Sequence, residues 1–206
     1  MHTLLVAFVI AGAYLIGSLS GSLLLARAFG QADPRTLGSG NAGATNALRT
    51  GGRGFGGAVL VFDLVKGMVA GGLLPLIAGV SPAVALACGA AAVIGHVYPV
   101  FFGFRGGKGA ATLIGVLLVL LPGALLVGFA VWVTTLVASG FVGLATMLGM
   151  LAVALAVLVA PAATVAAKWF VVAMTVVIVY THRENIRRMR AGNENRFARA
   201  MLRRRR

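Results

Sequence analysis

Acidic side chains are nearly absent from this chain. Its 206 residues include four Asp and Glu against 18 Lys and Arg, and none of the four lies between Asp63 and Glu184. That gap argues against a metal centre built on carboxylates and against a carboxylate proton relay. Cysteine is as scarce. The single Cys88 sits in an apolar run, so it forms no internal disulfide and no cysteine metal cluster, and is expected to be a small packing residue. No Lys or Arg precedes the first apolar run, so the positive leader of a cleavable signal is missing and that run is expected to stay as a membrane span.

What the chain has in excess is apolar surface. It is 60% hydrophobic, with a mean hydropathy of +0.99. A soluble domain of this size could not hide so much, so the class is integral membrane. The 29 glycines and six prolines fit that class, because membrane helices tolerate them better than soluble helices do. A net charge of +14 would suggest nucleic acid in a soluble protein, but its distribution excludes that partner here. Ten of the 18 cationic residues lie from Arg183 to Arg206, four between Arg27 and Arg53, and two are Arg105 and Lys108. This is the clustering of cytoplasmic loops and a basic cytoplasmic tail, 183–206, next to anionic lipid.

A span needs about 20 apolar residues. Residues 4–26, 55–78 and 82–101 supply three. The stretch 109–181 carries one charge, Lys168, and Pro122-Gly123, Ser139-Gly140 and Ala160-Pro161 divide it into four pieces. Placing all three basic segments on one side requires an even number of spans between them, and two spans over 109–181 would be too long. The expectation is an all-α integral membrane protein with seven transmembrane helices, N-terminus outside and C-terminus cytoplasmic, forming one membrane-embedded domain over 1–206.

The polar segments gather on the cytoplasmic side. The first, Gly38-Ser39-Gly40-Asn41-Ala42-Gly43-Ala44-Thr45-Asn46, contains G-x-G-x-x-G, with Asp63 following at a suggestive distance. A dinucleotide loop needs a preceding strand and a βαβ unit. Here a polar turn precedes the loop and Asp63 lies inside a span, so the dinucleotide reading fails. What remains is backbone N–H groups near a helix start, with Arg49 as a bidentate donor, an arrangement that attracts anions. The second segment runs from Gly95-His96 to Gly106-Gly107-Lys108-Gly109. It is not a Walker A loop, because Phe102 stands where the first glycine should be and Gly109 follows the lysine. Its cations and glycine amides again suggest a cradle for anions, with His96 beside it. In the third, His182 and Asn185 are three apart and share a helical face. Asp63 and Lys66 are also three apart within a span, where they are expected either to neutralise each other and hold the helix against a loop or to serve function. A transporter would need polar residues reaching the outer leaflet, and the later spans offer almost none.

Ser39 to Asn46 with Arg49, Asp63-Leu64-Val65-Lys66-Gly67, Gly95-His96 with Gly106 to Gly109, and His182 and Asn185 with Gly192 and Glu194 together resemble the bacterial acyl-phosphate:glycerol-3-phosphate acyltransferase (PlsY) family. The four motifs occur in the family's order and span nearly the whole chain. The resemblance implies an enzyme of the bacterial inner membrane, active on its cytoplasmic face. It would acylate the sn-1 hydroxyl of glycerol 3-phosphate from a fatty acyl phosphate, giving lysophosphatidate and inorganic phosphate, the first step of phospholipid synthesis. It implies no cofactor and no metal, and leaves the oligomeric state open. It assigns Ser39, His96 and Lys108 to catalysis. It assigns Gly40, Asn41, Gly43, Thr45, Asn46, Arg49, Gly106, Gly107, Gly109, His182 and Asn185 to substrate binding. In Ser139 to Thr146 the chain departs from the family, with Gly140 and Phe141 where many members carry an Arg-Tyr pair and Thr146 in place of a serine.

Overall fold

The computed structural model describes residues 2–197, and these are helices and loops without a strand. The end of the basic tail, residues 198–206, lies outside the described residues. The contacts divide the chain into two compact units, Met1–Leu121 and Pro122–Arg206.

The first unit begins with α1 (His2–Ser18) and α2 (Gly21–Ala28), which together cover the first expected span but are bent by 49° at Leu19-Ser20. Next comes α3 (Ala44–Met68), which continues through a π-helical turn, Val69–Leu73, into α4 (Leu74–Ile77). At Gly52 a φ of 81° breaks α3 into a short N-terminal piece and a long apolar one. A Cβ on Gly56 would collide with the backbone of Leu48, so the two pieces fold closely onto each other. Helix α5 (Pro82–Val97) starts where Ser81 Oγ accepts the amide of Val84 and Pro82 needs no partner for its missing N–H. Helix α6 (Ala110–Leu120) closes the unit.

Glycine sets how near these helices approach. On the α1–α5 contact, a Cβ on Gly17 would overlap the Ala92 carbonyl and one on Gly95 the Tyr14 carbonyl. On the α3–α6 contact, Gly67 faces the Thr112 carbonyl and Gly115 the Leu64 carbonyl in the same way. Lipid tails are as apolar as leucine, so membrane helices associate through close backbone packing, which small residues permit. Cys88 is fully buried with Val9, Ala13, Ala70 and Ala92, the small packing residue the sequence predicts.

The second unit holds α7 (Pro122–Ser139), α8 (Val142–Val159), α9 (Val165–Thr181) and α10 (Arg183–Arg190). These bounds reproduce the breaks expected at Pro122, Ser139-Gly140 and Ala160-Pro161. Gly128 and Gly149 bring α7 and α8 together, while Leu126, Val159 and Trp169 stay exposed, as suits a lipid-facing surface.

Among the described residues four helices are long and apolar enough to cross a membrane, and up to six if each bent pair counts as one. The expected fourth span fills the interval between Gly109 and Pro122 and is short. Helix α6 has 11 residues, about 16 Å of rise against a hydrocarbon core of about 30 Å. It stops at Leu121, whose φ of −142° leaves the helical region immediately before Pro122, where proline disfavours the α conformation of its predecessor.

Candidate active site

In the first glycine-rich loop, the glycines answer to backbone conformation. Gly38 and Gly40 have φ of 58° and 68°, a left-handed region costly for other residues. Asn46, which is 1% exposed, then fastens the loop from the first turn of α3. Its Oδ1 accepts the Ser39 amide at 2.9 Å, and its Nδ2 donates to the carbonyls of Pro34 and Leu37 at 2.8 and 3.0 Å. Both amide hydrogens of Asn46 therefore serve the loop itself. Gly43 caps α3 without a side chain, and a Cβ there would press on Asn41. Ser39, Asn41 and Thr45 are half-buried on this loop, and Arg49 is exposed on α3.

The second loop is built the other way. The Gly106 amide donates to the Val97 carbonyl and the Gly107 amide to the His96 carbonyl, both at 3.1 Å. This corrects the expectation that these two amides point at an anion: they satisfy carbonyls left open at the C-terminal end of α5. Gly106 and Gly107 are glycines because a Cβ would collide with the His96 carbonyl in one case and with His96 Nε2 and the Ala42 carbonyl in the other. Gly109, with φ of 83°, begins α6 beside the half-buried Lys108.

The two loops meet. Leu23, Ala42 and Phe102 form one buried cluster, and Arg27 lies 5.2 Å from the centre of the Phe102 ring. Arg35 donates to the carbonyls of Phe102 and Arg105 at 3.1 and 3.3 Å while paired with Asp33 at 2.7 Å. The hydrogen bond from Arg35 holds the Asp33 carboxyl below the usual carboxylate range, against a smaller opposing effect of burial. Sequence reasoning passed over Asp33 and Arg35 as a polar turn. Their two-residue spacing signals an ion pair, but nothing in it points to a carbonyl about seventy residues away.

Beneath the loops lies a buried charged cluster. Lys66 Nζ is 3.0 Å from Asp63 Oδ1 and 2.9 Å from His96 Nδ1, and donates to the carbonyls of Gly17 and Leu19 at 2.9 and 2.8 Å. Asp63 Oδ1 also accepts the Gly21 amide at 3.4 Å. The pair thus does hold its helix against another segment, the bend between α1 and α2, as one of the two sequence readings expected. Asp63 is fully buried, and Lys66 and His96 are 4% and 2% exposed.

In the second unit, His182 closes α9. Its Nδ1 lies 2.8 Å from the Ile178 carbonyl, so Nδ1 carries a proton and donates. Asn185 Nδ2 donates to Glu194 Oε1 at 2.9 Å, and Glu194 Oε2 pairs with Arg188 at 2.6 Å. Glu194, which the sequence places in the fourth motif without a role, therefore orients Asn185. In the segment from Ser139 to Thr146, the Gly140 carbonyl accepts the Phe197 amide at 2.7 Å and Arg196 lies over the Phe141 ring at 4.9 Å. Thr146 bonds back to Val142 and accepts from Trp132. Here Gly140 and Phe141 dock the segment that follows α10.

Comparison with known proteins agrees with these motifs. Residues 7–192 match the family model described as glycerol-3-phosphate acyltransferase. The glycerol-3-phosphate acyltransferase of Geotalea daltonii is 43% identical over 198 residues, covering 92% of this chain and 96% of that protein. A crystal structure of PlsY (YgiH), an integral membrane glycerol 3-phosphate acyltransferase in its glycerol 3-phosphate form, superposes with a TM-score of 0.87 at 36% identity, over 93% of this chain and 95% of that one. The lysophosphatidic acid form of PlsY gives a TM-score of 0.84 at 35% identity, over 93% and 94%. This chain belongs to the glycerol-3-phosphate acyltransferase family of integral membrane proteins.

Proposed function

We propose that this protein transfers a fatty acyl group from an acyl phosphate to the sn-1 hydroxyl of glycerol 3-phosphate, releasing lysophosphatidate and inorganic phosphate. The observation that carries this reading is the meeting of two glycine-rich loops across His96, with Lys108 and Ser39 on them. Both carboxylates of the first unit are already paired, Asp33 with Arg35 and Asp63 with Lys66, so they do not offset the positive charge offered to substrate. The relatives' names and the two ligand-bound PlsY forms support the acceptor and the product.

The donor is already activated, because phosphate is a good leaving group. The hydroxyl oxygen attacks the carbonyl carbon, a tetrahedral oxyanion forms, and the bond from carbon to the phosphate oxygen breaks. The hydroxyl proton ends on the released phosphate. The protein's work is to hold two anions that repel each other and to neutralise the charge that develops. We assign that work to Ser39, Arg49 and Lys108 in the first unit and to His182 and Asn185 in the second. Asn41, Thr45 and the backbone at Gly40, Gly43 and Gly109 assist, while Asn46, Gly106 and Gly107 shape the loops. Among the described residues no hydrogen bond joins Ser39 to His96, which favours direct transfer over an acyl-serine intermediate. The reading includes a single catalytic domain needing no cofactor, in the bacterial inner membrane. It has seven membrane segments, the N-terminus outside, and the site at the cytoplasmic headgroup level.

Purified protein should convert glycerol 3-phosphate and palmitoyl phosphate to lysophosphatidate, with palmitoyl-CoA giving none. Lys108→Ala should lower turnover by about a hundredfold or more. Equal rates from both donors would overturn the acyl-phosphate assignment.

A further inference from the structure

The turn Asp33–Leu37 holds both glycine-rich loops at once. On one side the carbonyls of Pro34 and Leu37 accept Asn46 Nδ2, which ties the turn to the first loop. On the other side Arg35 reaches the second. A guanidinium presents its N–H groups as a rigid planar fork. Along one edge Nη2 lies 2.7 Å from Asp33 Oδ2 and Nε lies 3.1 Å from both carboxylate oxygens. That bidentate pairing fixes the plane. The remaining nitrogen, Nη1, donates to the carbonyls of Phe102 and Arg105 at 3.1 and 3.3 Å. Between those two carbonyls the backbone is left-handed twice, at Gly103 with φ of 64° and at Phe104 with φ of 58°. Among the described residues Phe104 is the one non-glycine residue with a positive φ. Such a conformation is costly and persists where its surroundings hold it. Arg35 grips this turn by the carbonyls at its two ends.

We propose that Arg35, locked in place by Asp33, is a positioning residue for acyl transfer: it sets the separation of the two glycine-rich loops, and with it the place of Lys108 relative to Ser39. Each end of this brace is a short step of chain from a group assigned to substrate. Ser39 follows Arg35 by four residues, and Lys108 follows Arg105 by three. Arg35 itself is not placed among the phosphate ligands, because its charge is met by Asp33 and its Nη1 is engaged by carbonyls. The brace differs in kind from Asn46. Asn46 closes the first loop on itself, which is felt in binding. Arg35 spaces one loop from the other, which is felt where both loops act together, in the transition state.

The inference rests on the acyl-transfer reading for its kinetics but not for the spacing of the loops. Arg35→Lys keeps the charge and loses the fork, since one ammonium cannot span a carboxylate and two carbonyls in one plane. The fold should survive, because Leu23, Ala42 and Phe102 still pack together. Without substrate, hydrogen–deuterium exchange over residues 99–109 should quicken by about tenfold, the scale of one or two lost hydrogen bonds. Unchanged exchange overturns the proposal. With glycerol 3-phosphate and palmitoyl phosphate, kcat should fall by about a hundredfold while KM for glycerol 3-phosphate stays within about threefold, the pattern of two well-held groups misplaced by about 1 Å. Asp33→Asn should lower kcat in the same direction, and combining the two should cost little more than Arg35→Lys alone, since the pair acts as one unit. If Arg35→Lys does not fold, Asp33→Asn, which keeps the guanidinium, carries the same two readouts. A KM that rises in Arg35→Lys and falls in Asp33→Asn would make Arg35 a phosphate ligand and overturn the proposal. So would losses that multiply in the double variant, or a lowered melting midpoint with parental kcat per folded molecule. Wild-type protein inactive with both substrates would refute the proposed function, and the exchange result alone would then decide whether the brace spaces the loops.

Discussion

The two glycine-rich loops look alike in sequence and are held by opposite means. In the Gly38–Gly43 loop the backbone turns through left-handed glycines, and one buried side chain, Asn46, closes it with three hydrogen bonds. In the Gly106–Gly109 loop main chain bonds main chain, and glycine is required at 106 and 107 because the end of α5 leaves no room for a Cβ. The first loop depends on a side chain that is present, the second on side chains that are absent. A glycine count treats them as equivalent, although their responses to substitution should differ.

The largest effect is expected where space is tightest. Gly107→Ala puts a methyl group onto His96 Nε2 and the Ala42 carbonyl, so the two loops must separate. A displacement of about 1 Å at a reacting centre costs on the order of a hundredfold in rate, and initial-rate assays at saturating substrates would read it. A variant with near-parental turnover would break the comparison. Next comes the side-chain clasp. Asn46→Ala removes three hydrogen bonds from a buried site and should lower stability by about 1–3 kcal/mol, since buried polar groups lose their partners. It should also raise KM for glycerol 3-phosphate more than it lowers kcat, because the loop loosens while Lys108 is untouched. Thermal melting in detergent and a KM titration would sharpen the contrast with Gly107. The smallest effect serves as the reference. Gly54 is exposed on α3 with nothing within 4 Å of an added Cβ. Gly54→Ala should raise stability by about 0.5–1 kcal/mol through helix propensity, seen as a slightly higher melting midpoint with unchanged activity.

Much of this was legible in the sequence. The breaks at Pro122, Ser139-Gly140 and Ala160-Pro161 are chemical punctuation, and the helices obey them. Asp63 and Lys66 show their pairing in their spacing. The arrival of His96 at that pair was not legible, because it comes from a separate helix thirty residues on. Nor was the direction of the Gly106 and Gly107 amides, since glycine permits many backbone paths and only the open carbonyls at the end of α5 select one. The brevity of α6 was legible, by contrast, because Gly109 and Pro122 bound it on either side.

The wide turn at Val69–Leu73 sets the rotational phase of α4, the end of the same continuous helix. One residue added to or removed from that turn would rotate α4 by about 100°. Leu76 and Ile77, now 77% and 76% exposed, would swing away from the hydrocarbon, and buried Pro75 would swing toward it. The length of this five-residue stretch therefore acts as a gear setting, and a shift in chain length there should disrupt the protein more than a change of side chain at any one of its positions.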